Sequence, residues 1–357
     1  MNKQPTSYKV LGIMSGTSLD GLDLCLANYM LNNQQWEFEI LAAQTLPYSD
    51  YWKQQLINCE TNSGEELIKS HFEYGEYLGK TALNFIKSTN EHVDFISSHG
   101  HTIFHQIEKK ITFQLGSGAA LAAHSKHKVI ADFRSQDVTL GGQGAPLVPV
   151  GDLGLFPKYD SCINLGGICN FSYQSHDKVL AYDIAPCNMV LNYLMQRHFD
   201  KEYDVGGEIS KSGKIDQALL NQLNKIEFYH QNPPKSLGRE WVFEQVIPLL
   251  DASQITPQDK LCSFTNHIAI QISEAIKKET SINKILITGG GSKNIFLIEL
   301  LKNLDLNIEV PNEQLIDYKE ALIFGYLGIK RLREETNIFN TVTGSSKNTS
   351  SGSIYLP

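Results

Sequence analysis

Twice in this chain an apolar run leads into a turn of small residues and straight back into a second apolar run, over residues 10–29 and again over 162–173. A strand, a glycine turn and a second strand repeated at this distance point to two related halves. Further short runs rich in Val, Ile and aromatic residues lie at 93–97, 128–133, 179–184 and 284–288. Between them come longer segments with apolar residues three and four apart, around 64–88, 188–199, 257–279 and 319–335, so strands alternate with helices in the manner of an α/β protein. The stretch 141–157, GGQGAPLVPVGDLGLFP, is dense in Gly and Pro and separates the two runs. The expected division is an N-terminal domain over 1–150 and a C-terminal domain over 151–335, with the polar tail 336–357 packing back on the first.

Charge narrows the function. Thirty-one Lys and Arg against 39 Asp and Glu leave a net charge of −8, which disfavours a protein organised around nucleic acid or an anionic membrane surface. No uncharged apolar run approaches the roughly 18–20 residues of a spanning helix, and the opening MNKQPTSYKV has no apolar signal segment, so the expectation is a cytoplasmic protein. The six cysteines form no CxxC pair and read as reduced, buried thiols.

Three loops suit a nucleotide. GIMSGTSLDGLD at 12–23 places Ser15, Gly16, Thr17 and Ser18 in a tight turn whose backbone N–H groups and hydroxyls can approach an anion, although residue types alone favour a plain hairpin turn. It is not a Walker A loop, because no GKS or GKT follows. Asp20 and Asp23 can hold Mg²⁺ directly or through water, and Asp is also a common turn residue. NLGGICN at 164–170 and TGGGSKN at 288–294 repeat the small-residue theme after later strands, without the GxGxxG spacing of a nicotinamide enzyme.

Polar side chains gather beside these loops. SSHGHTIFH at 97–105 carries three histidines, but His99, His101 and His105 are not at a familiar zinc spacing; ligand contacts from His99 and Thr102 compete with a structural reading. Arg134, between Asp132 and Asp137, is suited either to an anionic substrate group or to an internal ion pair. Asp183 ends an apolar strand, where it can act as a base or cap the helix that Pro186 and Asn188 announce.

Together MSGTSLDGLD, SHGHT, DFRSQDVTLGGQGAPLVP, NLGGICN, YDIAPCN, GRE at 238–240 and TGGGSKN resemble, in this order along nearly the whole chain, the anhydro-N-acetylmuramic acid kinases. The resemblance implies two actin-like ATPase (ribonuclease H-like) domains with nucleotide and substrate in an interdomain cleft, a homodimer, and ATP with Mg²⁺ as co-reactants. It implies phosphorylation of O6 of 1,6-anhydro-N-acetylmuramic acid as water opens the anhydro bridge at C1, giving N-acetylmuramic acid 6-phosphate in cell-wall recycling. By the same resemblance Gly16, Thr17, Ser18, Leu19, Asp20, Gly21, Leu22 and Asp23 form the first phosphate loop and Gly166–Gly167 the second. Gly289, Gly290, Gly291 and Asn294 resemble the adenosine loop, and Asp183 matches the catalytic base. Pro186 and Asn188 keep two further motif positions expected at the substrate. The chain departs from the family's SHGQT at His101 and from its DTGPxN at Ile184 and Ala185. Another amino-sugar kinase of the same fold, or a non-catalytic nucleotide-dependent binding protein, are the alternative readings.

Overall fold

The computed structural model describes residues 4–16, 19–176, 178–279 and 281–357. The chain forms two compact units, one built from the chain up to Phe156 together with Tyr318–Pro357, the other from Pro157–Asp317.

In the first unit, β1 (Ser7–Ser15) pairs antiparallel with β2 (Gly21–Asn32), and β2 with β3 (Gln35–Pro47). On the other side β1 runs parallel to β4 (Phe95–Gln106), and β4 parallel to β6 (Val129–Ala131); β5 (Ile111–Leu115) is a hairpin partner of β4. Parallel neighbours require a crossover, and the helix Gly64–Thr89 supplies the one between β3 and β4. A capping box starts that helix: the Ser63 side chain accepts from the Glu66 N–H, and Glu66 accepts from the Ser63 N–H. Tyr74, Leu78, Ala82 and Phe85 then bury one stripe.

The second unit repeats the plan. β7 (Ser161–Leu165) pairs antiparallel with β8 (Ile168–Ser175), and β8 with β9 (Lys178–Pro186); β10 (Ile285–Thr288) runs parallel to β7, and β11 (Ile308–Glu309) parallel to β10. Both sheets therefore share a core order of third, second and first strand followed by two strands parallel to the first, with the second reversed; in the first sheet β5 and the C-terminal strand add two more antiparallel neighbours. This is the doubled ribonuclease H-like plan of the actin-like ATPases. Its second core closes on the helix Pro257–Lys277, whose Leu261, Phe264, Ile268 and Ile272 pack beneath Tyr182 and Ile184 of β9.

The helix Glu313–Leu332 moves a boundary. Residues 318–335 belong to the first unit, not to a domain running on to 335. A Cβ on Gly12 would fall 1.9 Å from the Ala321 carbonyl oxygen, so β1 and this helix touch backbone to backbone. The Tyr29 hydroxyl donates to the Leu322 carbonyl at 2.6 Å and the Ser97 hydroxyl to that of Phe324 at 2.5 Å. After the helix the tail returns to the same sheet, where Ser353–Tyr355 pairs antiparallel with β6. All six cysteines are buried free thiols, and no helix among the described residues is long and apolar enough to cross a membrane.

Candidate functional site

The glycine loop after β1 is shorter than its motif. Thr17 and Ser18 lie outside the described residues. Gly21 and Leu22 already belong to β2, where Leu22 pairs with Ser15 and a Cβ on Gly21 would meet the Leu46 carbonyl at 2.6 Å. Their task is packing, which leaves Gly16, Leu19 and Asp20 at the turn. Leu19 has φ 60°, and its N–H points back to the Gly16 carbonyl at 3.4 Å. The loop stands on a buried chain of hydrogen bonds: His101 Nδ1 to Ser15 Oγ at 2.8 Å, Ser15 to the Tyr48 hydroxyl at 2.6 Å, and Tyr48 to that of Tyr74 at 2.6 Å. Burial lowers the His101 imidazole to about 4, so it stays neutral.

Magnesium usually takes only one or two protein carboxylates, with phosphate oxygens and water completing its shell. Asp20 is exposed at the turn and suits that role, whereas Asp23 lies on β2 and accepts the Thr45 hydroxyl at 2.6 Å. Among the described residues no three His, Cys, Asp or Glu side chains cluster to form a protein-only metal site, and the three histidines of 97–105 go to different partners.

Arg134 makes neither of the expected ion pairs. Asp137 instead accepts the Gly144 N–H at 2.8 Å and the Thr343 hydroxyl at 2.8 Å, and Asp132 accepts the Ser135 N–H at 3.3 Å. The guanidinium is held by His99, to whose Nε2 it donates from Nε at 3.0 Å and Nη2 at 2.9 Å, and by the Gly144 carbonyl, reached from Nη1 at 2.6 Å. His99 Nδ1 lies 2.9 Å from the Gly100 carbonyl and must donate there, which leaves Nε2 as the acceptor Arg134 needs. Burial and the adjacent guanidinium hold His99 well below the usual imidazole range. Thr102, on the same strand, accepts from Gln114 at 3.4 Å.

Glu320, an exposed residue directly before the buried stretch 321–329 of the helix Glu313–Leu332, belongs to no motif. Solvent reaches its side chain, yet enough protein surrounds it that burial is the largest influence on its carboxyl and raises it; Arg134 pulls the other way and Asp23 adds to the rise. The available signal was a Lys–Glu pair opening an otherwise apolar stretch, KEALIFGYLGI.

In the second unit three elements converge. The turn Gly166–Gly167 lends its carbonyls to the start of the helix Asn188–Phe199: Asn188 N–H to Gly166 at 3.1 Å and Cys187 N–H to Gly167 at 2.9 Å. Asn188 Nδ2 donates to the Leu165 carbonyl at 3.0 Å, and Pro186 is buried at the end of β9 opposite Ile168. After β10, Gly289 has φ 83°, and a Cβ there would meet Asn164 Oδ1 at 2.6 Å. A Cβ on Gly291 would meet Leu165 at 2.7 Å, whereas one on Gly290 would meet only Asn188, at 3.8 Å. Gly290 is thus the one of the three that faces open space. Asn294 caps the helix Ile295–Asn303 by accepting the Leu297 N–H at 3.0 Å, which occupies its side-chain oxygen.

Asp183 lies on β9 between Tyr182 and Ile184, which point into the core, so strand alternation turns its carboxylate to the other face. It caps no helix, since the N-cap of Asn188–Phe199 is Cys187 without a side-chain bond. Its Oδ2 accepts the Leu237 N–H at 2.8 Å and its own N–H donates to the Lys235 carbonyl at 3.1 Å. Burial raises the carboxyl above its ordinary value, partly offset by the Leu237 bond. A carboxylate oriented by one backbone donor, half-buried and more basic than in water, is equipped to take a proton.

The family model for anhydro-N-acetylmuramic acid kinase matches residues 8–357. A relative from Bacillus thuringiensis subsp. konkukian (strain 97-27), an anhydro-N-acetylmuramic acid kinase, is 32% identical over 98% of this chain and 99% of its own. One of the same name from Clostridioides difficile (strain 630) is 34% identical over 96% of this chain and 97% of its own. Among solved structures, an activator of 2-hydroxyisocaproyl-CoA dehydratase from Clostridium difficile with bound ADPNP covers 91% of this chain and 97% of its own at 12% identity, but its TM-score of 0.43 is too low to bear on the fold. A match that runs from Tyr8 to the last residue, with relatives alike over nearly their full length, shows that this chain belongs to the anhydro-N-acetylmuramic acid kinase family.

Proposed function

We propose that the protein uses ATP to phosphorylate O6 of 1,6-anhydro-N-acetylmuramic acid while water opens the anhydro bridge, giving N-acetylmuramic acid 6-phosphate and ADP. The observation that carries this reading is the Asp183 carboxylate, oriented by the Leu237 N–H and made more basic by burial. Asp183 takes a proton from water as its oxygen bonds to C1; the C1–O6 bond breaks, and O6 takes up the γ-phosphoryl group. One base thus drives both events. Arg134, preset by His99 and Gly144, orients an anionic part of the sugar, with Thr102 on the same unit, and Pro186 and Asn188 are the substrate residues of the second unit. Gly16, Leu19 and Asp20 serve the phosphates, as does Gly166–Gly167, and Gly290 serves the adenosine side. Asp20 would hold Mg²⁺, which when bound would neutralise charge on the phosphates during the transfer. The reading places the enzyme in the cytoplasm, as a homodimer, in cell-wall sugar recycling.

Running the reaction in ¹⁸O water with a coupled ADP assay tests the proposal. Bridge opening puts solvent oxygen at C1 of the phosphorylated product. ADP release with a free amino sugar and no ¹⁸O at C1 would establish an ordinary hydroxyl kinase instead, and ATP binding without sugar-dependent ADP release would remove the enzymatic reading.

A further inference from the structure

The face of β9 that turns away from Asp183 covers a small open recess, lined among others by Tyr182, Tyr229, Lys235, Gln271, Glu274 and Lys278. Its lining brings two lysines, Lys235 and Lys278, to one glutamate, Glu274. The Lys235 ammonium donates to the Phe228 carbonyl at 3.0 Å and lies 4.6 Å from the Phe228 ring centre and 5.8 Å from that of Tyr182, but it makes no ion pair among the described residues. Burial and the charge of Lys278 lower it to about 8. Of the nearby acids, Glu274 is exposed at the rim and Glu279 accepts the Tyr173 hydroxyl at 2.8 Å. The Tyr229 hydroxyl is buried, on a residue 2% exposed, and has no hydrogen-bond partner among the described residues. The half-buried Lys235 amine, the exposed Lys278 at the rim and the buried Tyr229 hydroxyl thus bring three donors to one recess, where the Phe228 carbonyl takes only the first of them.

The recess also adjoins the strap that holds Asp183. Lys235 presents its amine to the recess and its carbonyl to the Asp183 N–H, and two residues later the Leu237 N–H reaches Asp183 Oδ2. We propose that this recess is a second ligand site for a small oxyanion, a phosphate or a carboxylate, received by Lys235, Lys278 and Tyr229, and that the strap 235–237 couples its occupancy to Asp183. An anion that draws the Lys235 amine from the Phe228 carbonyl shifts the strap and with it the donor on Asp183. The site itself stands on the recess; only the coupling rests on the reading of Asp183 as the base.

Trp241 is the one tryptophan of the second unit, and its ring lies 5.2 Å from that of Phe228 and 6.4 Å from that of Tyr229, so its fluorescence reports on the recess. Sodium phosphate and sodium acetate would be titrated separately into the full-length protein at constant ionic strength set by sodium chloride. The expected result is a saturable fluorescence change with one or both, absent in Trp241→Phe, weakened about tenfold or more in Lys235→Met, as for the loss of a charged hydrogen bond, and retained in Asp183→Asn. The phosphate and acetate arms separate the two anion classes. If Lys235→Met melts much lower than the wild type, Tyr229→Phe and Lys278→Met carry the same test. A response that only follows chloride, or equal responses in wild type and these variants, overturns the site. The coupling is read from the pH profile of kcat, whose acid limb should move with saturating anion in the wild type and not in Lys235→Met. An unmoved limb beside intact binding overturns the coupling alone, and a protein without sugar-dependent turnover still yields the binding answer.

Discussion

Asp183→Asn separates chemistry from architecture, because the substitution preserves nearly everything the structure shows at this position. An asparagine has the same size, its Oδ1 can accept the Leu237 N–H now 2.8 Å from Asp183 Oδ2, and the backbone pairings with Asn170 and Lys235 do not involve the side chain. What it loses is the capacity to take a proton. A positioned general base contributes about 10²–10⁴ in rate, or about 2.7–5.4 kcal/mol at 1.36 kcal/mol per decade, so kcat should fall at least about a hundredfold while the KM values for ATP and sugar change only a few-fold. Stability should move the other way. The folded carboxyl titrates above its unfolded value of about 3.8 because burial penalises the charged form. Its contribution to stability is therefore fully present below the unfolded pKa and is lost as pH rises through the folded one. At pH 7 ionised Asp183 is a net cost that a neutral amide does not carry, so the variant should melt at the same temperature as the wild type or higher, with the difference closing as pH falls towards 4. The acid limb of the wild-type kcat profile should lie above the ordinary carboxylate range. Near-normal kcat in the variant would refute Asp183 as the base, and a lower melting temperature at pH 7 would refute the account of its burial.

Three further substitutions test other parts of the structure. Arg134→Lys keeps the charge but loses the planar fork that reaches His99 Nε2 from Nε and Nη2 and the Gly144 carbonyl from Nη1; the sugar KM should rise about tenfold or more, as for loss of charged hydrogen bonds, with the ATP KM unchanged, and unaltered sugar kinetics would remove Arg134 from the site. Gly290→Val adds a branched side chain where a Cβ meets only Asn188 at 3.8 Å, so the melting temperature should hold while nucleotide binding, followed by calorimetry, is lost; normal binding would make the loop a simple turn. Gly12→Ala forces a methyl group to within 1.9 Å of the Ala321 carbonyl oxygen, an overpacking that costs about 1–3 kcal/mol and should lower the melting temperature by about 2–4 °C per kcal/mol. An unchanged melting curve would contradict the backbone contact between β1 and the helix Glu313–Leu332.

The sequence by itself determined what is local. The alternation of strands and helices, the glycine turns at strand ends and the presence of Asp183 in an apolar run follow from residue types and spacing within about twenty positions, although β9 runs on past Asp183 to Pro186. Tertiary structure decided what depends on partners far along the chain. Periodicity marks the apolar face of residues 319–329 but not the surface it covers, and the missing side chain of Gly12, more than three hundred residues earlier, admits that helix to the first unit. Arg134 stood between two acids, yet Asp137 was claimed by Gly144 and Thr343, and the guanidinium turned to His99, thirty-five residues back along the chain. Glu320 resembles an ordinary helix-surface charge in the sequence, and only the fold brings the charges of Arg134 and Asp23 to bear on it. Leu237 carries no motif, and its backbone N–H matters only because a strap fifty-four residues downstream folds against β9. The physical reason is the same each time: propensity and hydrophobic pattern act over a few residues, whereas hydrogen bonds, burial and close packing are set by whichever surfaces the chain brings together.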